Sequence, residues 1–331
     1  MVEFAVIIPT YQRPELLVQA VDSVLGQTYA PSEVLVVRDG PHALVPETLP
    51  SSPALRVLDR PKQGVAAARN AGIAASASPW ICFLDDDDLW HPHRLERTAE
   101  YLDTHPECAA LQAASWTFAA APARGVDIVA SDLASCMEAT GLVRPVTDMS
   151  YLDITGRSFD LLLERNRGSI STSTVKREVM LDARGFPEGY TCAEDWVMFI
   201  NVARFVEWHY LDERLSFIRK HERNNTVVNP TNDLVTIRAI RAVWADRSLP
   251  EPAHRPLGAY GVDYRFFAQR AFWRAVRRRL PRIAAAIARE AFALLPRWRD
   301  RLVVILPPAV EQAARPMRRT VQSRTFSAPC T

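Results

Sequence analysis

The run Asp85-Asp86-Asp87-Asp88 stands where an apolar segment, Trp80-Ile81-Cys82-Phe83-Leu84, ends and Leu89-Trp90 resumes apolar packing. Four adjacent carboxylates repel one another, so gathering them gains little unless something positive binds. In an extended chain alternate side chains share a face, which lets Asp85 and Asp87 address one ligand. A hard divalent cation carrying a diphosphate fits, because Mg2+ takes one or two protein carboxylates together with phosphate oxygens. The competing reading is a solvated acidic turn in which Asp88 caps the following helix.

The segments around this run predict an α/β domain. Phe4-Ala5-Val6-Ile7-Ile8 is a continuous apolar run, as in a buried parallel strand. Pro14 and Glu15 suit the first turn of a helix whose apolar face holds Leu16, Leu17, Ala20, Val21, Val24 and Leu25. Glu33-Val34-Leu35-Val36-Val37 reads as a second strand, Arg56-Val57-Leu58 as a third, and Gly64 to Ala75 as a small-residue helix. Such alternation predicts a mostly parallel sheet flanked by helices. Ligands of such sheets bind beyond the carboxyl ends of the strands, where Thr10, Asp39 and Asp85 all fall. Further along, Ala109 to Phe118 and Ile170 to Val175 are strand candidates, and Phe159 to Leu163 and Glu194 to Arg204 are helical. Ala119 to Ser150 has no clean period and reads as a long loop.

The 331 residues hold one large core domain and an appendage. No stretch approaches ~18 uninterrupted apolar residues, so no spanning helix is expected. A strand already under way at Phe4 leaves no room for a signal peptide. The five cysteines (Cys82, Cys108, Cys136, Cys192, Cys330) form no C-x-x-C and suggest neither a disulfide framework nor a zinc ribbon. A reducing cytoplasm is the expected compartment. From Tyr264 to Thr331 there are 15 arginines, no lysine and three acids, a net of +12; with the whole chain at +2, the remainder carries −10. An acidic body with a basic extension points to an anionic partner for the extension and disfavours nucleic acid as the main ligand.

Four segments line up in order: Val6-Ile7-Ile8-Pro9-Thr10-Tyr11-Gln12-Arg13-Pro14 with Gln27-Thr28-Tyr29; Gly64-Val65-Ala66-Ala67-Ala68-Arg69-Asn70-Ala71-Gly72; Phe83 to Trp90; and Gly185-Phe186-Pro187-Glu188-Gly189 followed by Glu194-Asp195-Trp196. Over roughly residues 4 to 222 the chain resembles the family 2 glycosyltransferases, inverting enzymes with the Rossmann-like GT-A fold. The resemblance implies sugar transfer from a nucleoside-diphosphate sugar to an acceptor hydroxyl, in polysaccharide or glycoconjugate biosynthesis of the cell envelope, with Mn2+ or Mg2+ as cofactor. It implies a donor site of Pro9, Thr10, Tyr11, Arg13, Asp39, Arg69, Asp85 and Asp86, with Asn70 beside Arg69 on the nucleotide side. It also implies metal ligation by Asp87 and Asp85, with His221 as a further candidate, and assistance at the diphosphate from Arg219. Asp195 is then the general base and Glu194 a supporting group that orients or binds acceptor. Taken without the other motifs, Glu194 and Asp195 read as ordinary first-turn acids. His91 and His93 flank Pro92 at a helix start and are read as structural. Acceptor recognition is expected on the 119–150 loop and on Ile170 to Thr174, with a carbohydrate or a lipid-linked molecule as acceptor.

Two other classes stay in view: a metal-dependent nucleotidyltransferase or phosphohydrolase, and a non-catalytic carbohydrate-binding relative. A dinucleotide oxidoreductase is disfavoured because no G-x-G-x-x-G follows the first strand. The expected organisation is a catalytic domain over residues 1–225, an Arg-rich helical extension over 226–314 and a disordered tail over 315–331. In the extension, Phe266, Trp273, Val276 and Leu280, then Ile283, Ile287 and Leu294, recur at helical spacing among arginines. That pattern suits either a peripheral contact of residues 264–314 with the anionic inner face of the cytoplasmic membrane or packing on the catalytic domain.

Overall fold

The computed structural model describes residues 1–40, 49–119, 143–145, 154–220 and 229–308. Most of the 119–150 loop, His221 and the 315–331 tail lie outside them.

Strand β1 (Phe4–Thr10) is buried along its whole length. Helix α1 (Pro14–Leu25) starts on Pro14 and buries Leu17, Ala20, Val21 and Val24. β2 (Glu33–Asp39) and β3 (Leu55–Arg60) follow, then α2 (Val65–Ala75), β4 (Trp80–Phe83) and the short β5 (Leu89–Trp90). β3, β2, β1 and β4 are adjacent and parallel. Their register pairs Thr10 with Arg38 and Ile7 with Phe83, so Thr10, Asp39 and the acidic run emerge on one edge. α2 lies close on β1: a Cβ at Gly72 would stand 2.6 Å from Ile7 Cγ2, so any side chain there would push the helix off the sheet.

Next come α3 (Arg94–Thr104), β6 (Ala110–Ala119), β7 (Val143–Pro145), α4 (Ser158–Glu164), a 3-10 turn at Ile170–Thr172, β8 (Ser173–Lys176), α5 (Arg177–Asp182), α6 (Glu194–Val202) and β9 (Trp208–Lys220). The sheet order is β3-β2-β1-β4-β8-β6-β9-β5, with β7 on β6. The parallel arrangement expected from the sequence therefore holds through four strands. Beyond them the sheet is mixed: β8 runs antiparallel to β4 and β6, and β9 runs parallel to β6 and antiparallel to β5. β9 has no sequence-based counterpart. Asp212, Glu213 and Arg214 interrupt its apolar pattern where the pairing with β6 shifts register.

Helices α7 (Pro230–Ala245), α8 (Leu257–Arg277), α9 (Pro281–Leu294) and α10 (Trp298–Ile305) form the basic extension. One apolar cluster runs from β1, α4 and α6 into Ile237, Tyr260, Ala271, Ile287 and Leu294. Polar ties reinforce it. Asp160 accepts from the Tyr260 hydroxyl and from Arg255 Nε at 3.0 Å, and the Tyr264 hydroxyl donates to the Leu163 carbonyl. Fully burying side chains such as Ile287 contributes roughly 1.5–3 kcal/mol each, more than the 0–1 kcal/mol of an exposed ion pair. Packing therefore decides the placement of Ile287 and Leu294. Val276 and Leu280 keep 38% and 37% of their surface exposed. Among the described residues no helix is long and apolar enough to cross a membrane.

Candidate active site

A cavity of about 810 Å3 opens at the carboxyl edge of β1, β2 and β4. It is lined by Pro9, Thr10, Tyr11, Arg13, Asp39, Arg69, Asp85, Asp86, Asp87, Glu194 and Asp195, which brings the expected donor-site, described metal-ligand and base residues to one place.

The acidic turn is held from several sides. Asp86 accepts from the Thr10 hydroxyl at 2.8 Å and from Arg13 at 3.0 Å, tying the turn to the end of β1. Arg13 also reaches Asp87 at 2.7 Å. Arg69, 3% exposed, donates to Asp85 at 2.7 Å and to Glu194 at 2.9 Å. Asp88 accepts from Ser171 Oγ at 2.6 Å and from the Arg219 backbone N–H at 2.8 Å. Burial drives the Asp86 carboxyl up to about 6 against the pull of Arg13. Burial likewise raises Asp85, with Arg69 opposing it, and Asp88. The site therefore favours added positive charge.

Asp85, Asp87 and Asp88 each offer an oxygen within 4.8 Å of the others. All three are already engaged, Asp85 by Arg69, Asp87 by Arg13, and Asp88 by Ser171 and the Arg219 N–H, so a cation at Asp85 and Asp87 would share these carboxylates with two guanidinium groups. An all-oxygen set of this kind suits Mg2+ or Mn2+, so the residues fit the expected metal.

Several of the expected side chains also make structural contacts, and some do not reach the cavity. Asn70 accepts from the Phe186 N–H at 2.8 Å and donates to the Phe186 carbonyl at 2.9 Å, fixing the 185–189 loop rather than lining the cavity. Gly185 makes this contact possible: its φ is +62°, and a Cβ would come 2.5 Å from Asn70 Oδ1. Arg219 does not line the cavity. It donates through Nε to the Asp87 carbonyl at 2.7 Å and so supports the backbone of the acidic turn. Of Ile170 to Thr174, Ile170 lines the cavity, while Ser171 to Thr174 are fully buried, which removes their side chains from any acceptor. His91 and His93 also lie away from the cavity; His93 contacts Glu96 at 2.7 Å. Asp39 accepts from the Gln63 and Gly64 N–H groups at 2.9 and 3.0 Å, joining the end of β2 to the start of α2.

At the start of α6, Ala193 takes a left-handed conformation, φ +66°. Glu194 then meets Arg69, while Asp195 Oδ2 lies 3.5 Å from Asn166 Nδ2 and its Oδ1 accepts from the Trp196 N–H at 2.7 Å. Glu194 is thus held on the side of Arg69 and Asp85. Burial, and then the neighbouring Glu194 charge, push the Asp195 carboxyl up to about 7. Sequence reasoning missed Asn166, Gly168, Ser169, Tyr190, Cys192 and Asn232, which also line the cavity. They lie in aperiodic loops or at a helix start, where no spacing sets them apart.

Residues 5–121 match the family described as Glycosyl transferase family 2. It is 25% identical over 230 residues to an uncharacterized glycosyltransferase of Rickettsia bellii, covering 68% of this chain and 30% of that protein. It is 38% identical over 101 residues to the succinoglycan biosynthesis protein ExoO of Rhizobium meliloti, covering 29% of each chain. The chain spans about a third of the length of the first curated relatives it matches. Among solved structures, S. aureus TarS 1–349 in complex with UDP-GlcNAc superposes with a TM-score of 0.58 at 17% identity, over 94% of this chain and 92% of that one. The mannosyltransferase PcManGT from Pyrobaculum calidifontis, in complex with GDP-Man and Mn2+, gives 0.52 at 17% identity, over 94% and 80%. These likenesses establish a GT-A-like fold.

Proposed function

We propose that this chain is an inverting, metal-dependent glycosyltransferase that moves a sugar from a nucleoside-diphosphate sugar to an acceptor hydroxyl. The observation that carries this reading is the convergence of the four motif segments, together with Asp39, on the 810 Å3 cavity. ExoO, named for succinoglycan biosynthesis, supports polysaccharide or glycoconjugate assembly as the setting.

Thr10, Tyr11 and Asp39 would bind the nucleoside of the donor, and Arg13 and Arg69 its phosphates. Asp85 and Asp87 would hold Mg2+ or Mn2+, which when bound neutralises charge building on the departing diphosphate. Asp195 takes the acceptor proton. The acceptor oxygen bonds to the anomeric carbon, the bond from that carbon to the diphosphate breaks, and the electron pair leaves with the diphosphate. A base must stand within ~3 Å of the hydroxyl it serves, or one water away. Glu194, paired with Arg69, fixes the α6 start so that Asp195 keeps its orientation. Residues 1–225 form the catalytic unit and 226–314 the extension. Thermal shift with UDP-, GDP- and dTDP-sugars plus Mn2+ tests the donor assignment: one class should stabilise the protein in a Mn2+-dependent way, and no shift with any of them contradicts it.

We also propose that the extension contacts an anionic membrane surface. Trp298, Leu302, Ile305 and Leu306 are 64%, 44%, 41% and 43% exposed and recur at helical spacing on and just after α10, beside exposed Arg297 and Arg299. Apolar anchors flanked by arginines suit the inner face of a cytoplasmic membrane, and a lipid-linked acceptor would be presented there.

A further inference from the structure

A second cavity, of about 680 Å3, lies between the catalytic unit and helices α7 and α8 of the extension. It shares Asn166, Cys192, Ala193, Asp195 and Asn232 with the first cavity, so the two meet at the start of α6. Its volume falls within the ~300–1,000 Å3 typical of small-molecule pockets. We propose that this second cavity is the acceptor subsite, that the extension builds its far wall, and that it takes a neutral saccharide. This rests on the reading of Asp195 as the base.

The lining matches a sugar ring. A pyranose offers an apolar C–H face and a rim of hydroxyls. Phe266 and Phe267 of α8 and Trp196 of α6 supply aromatic surface, and Asn166, Asp263 and Arg270 supply donors and acceptors for the rim. The charge balance argues against a polyanion. Three arginines in the lining face four carboxylates, and Arg274 is paired with Asp233. Asp195 faces Asn166 on this side, while Glu194 faces Arg69 on the donor side. An acceptor entering here would therefore meet the base from the side away from the donor phosphates.

The test uses the full chain and saturation-transfer NMR with p-nitrophenyl β-D-glucoside, β-D-galactoside, β-D-mannoside and N-acetyl-β-D-glucosaminide, with p-nitrophenyl β-D-glucuronide as the anionic comparison. At least one neutral glycoside should bind, and more tightly than the glucuronide. Phe266→Ala should weaken that binding by about tenfold, as expected for loss of an aromatic face and its packing. Thr236→Trp, which fills the cavity from α7, should abolish it. Neither residue lines the first cavity, so binding of UDP or GDP with Mn2+ serves as the control for folding. If Thr236→Trp does not fold, Phe266→Ala carries the test. No neutral glycoside binding, preference for the glucuronide, or unchanged binding in a folded variant overturns the proposal. Failure of the wild type to bind any nucleotide would instead overturn the donor reading of the first cavity, and the glycoside result would then stand by itself.

Discussion

Arg69 Nη1 lies 2.9 Å from Glu194 Oε1 across 125 residues of chain, and the same guanidinium holds Asp85 at 2.7 Å. One buried cation thus fixes the acidic turn after β4 to the start of α6. Removing one partner of a buried ion pair costs about 3–5 kcal/mol, because the other charge is left uncompensated. Arg69→Met should therefore lower stability by an amount of that order in urea unfolding, and should disable turnover as Asp85 and Glu194 repel. A midpoint equal to wild type would show that Arg69 does not organise the site.

Asp195→Asn should lower kcat by about 10²-fold or more, the usual size of a general-base contribution, while donor affinity barely changes. The wild-type pH profile should carry the same residue. Its carboxyl is raised to about 7, so the basic form prevails only above that pH, and kcat/KM should rise with pH through that region. The sign for stability is opposite. A carboxyl raised in the folded state binds its proton more tightly there than in the unfolded chain, so raising the pH from the ordinary carboxylate range to about 7 destabilises the fold. The Tm of Asp195→Asn relative to wild type should accordingly be more favourable at pH 8 than at pH 4. A crippled Glu194→Gln beside a nearly normal Asp195→Asn would reverse the two roles.

Asp87→Ala should abolish transfer and remove the Mn2+ dependence of donor binding while leaving the fold intact; Asp85→Ala should be nearly as severe and should also loosen Arg69. Isothermal titration of nucleoside diphosphate with and without Mn2+ checks this. Full activity of either variant in EDTA would remove the acidic run from the metal site.

The parallel half of the fold was legible because β1, β2 and β4 are unbroken apolar runs, and the chemistry emerges directly at their ends. Thr10, Asp39 and Asp85 could be placed together before any contact was known. Glu194 and Asp195 were legible through motif order; alone they are two acids at a helix start. In the mixed half, β6 and β8 were legible as strand candidates, but their antiparallel pairing and β9 were not. β8 is a Ser/Thr segment whose buried hydroxyls are satisfied within the fold, as when Thr174 accepts from Arg94 at 3.1 Å. The destinations of Asn70 and Arg219 were hidden for a similar reason: a polar side chain in a motif can serve a backbone as readily as a ligand. The second cavity depends on how α7 and α8 dock on α6, which no local pattern encodes.

The exposed face of α10 gives a separate expectation. The full chain should co-sediment with anionic liposomes, salt should weaken this, and Trp298→Ser combined with Leu302→Ser should leave the protein in the supernatant. These side chains are already exposed, so the double variant should keep the wild-type Tm. Equal sedimentation of the two proteins at low salt would leave packing on the catalytic unit as the whole role of the extension.

The most direct test is to supply the full chain and Mn2+ with a panel of nucleotide sugars, with and without neutral glycoside acceptors, and to follow nucleoside diphosphate release and product anomeric configuration by NMR. The account predicts release that depends on both acceptor and metal, with inversion at the anomeric carbon. Release of inorganic phosphate or a nucleoside monophosphate, acceptor-independent turnover at the full rate, or a product that retains configuration would contradict it.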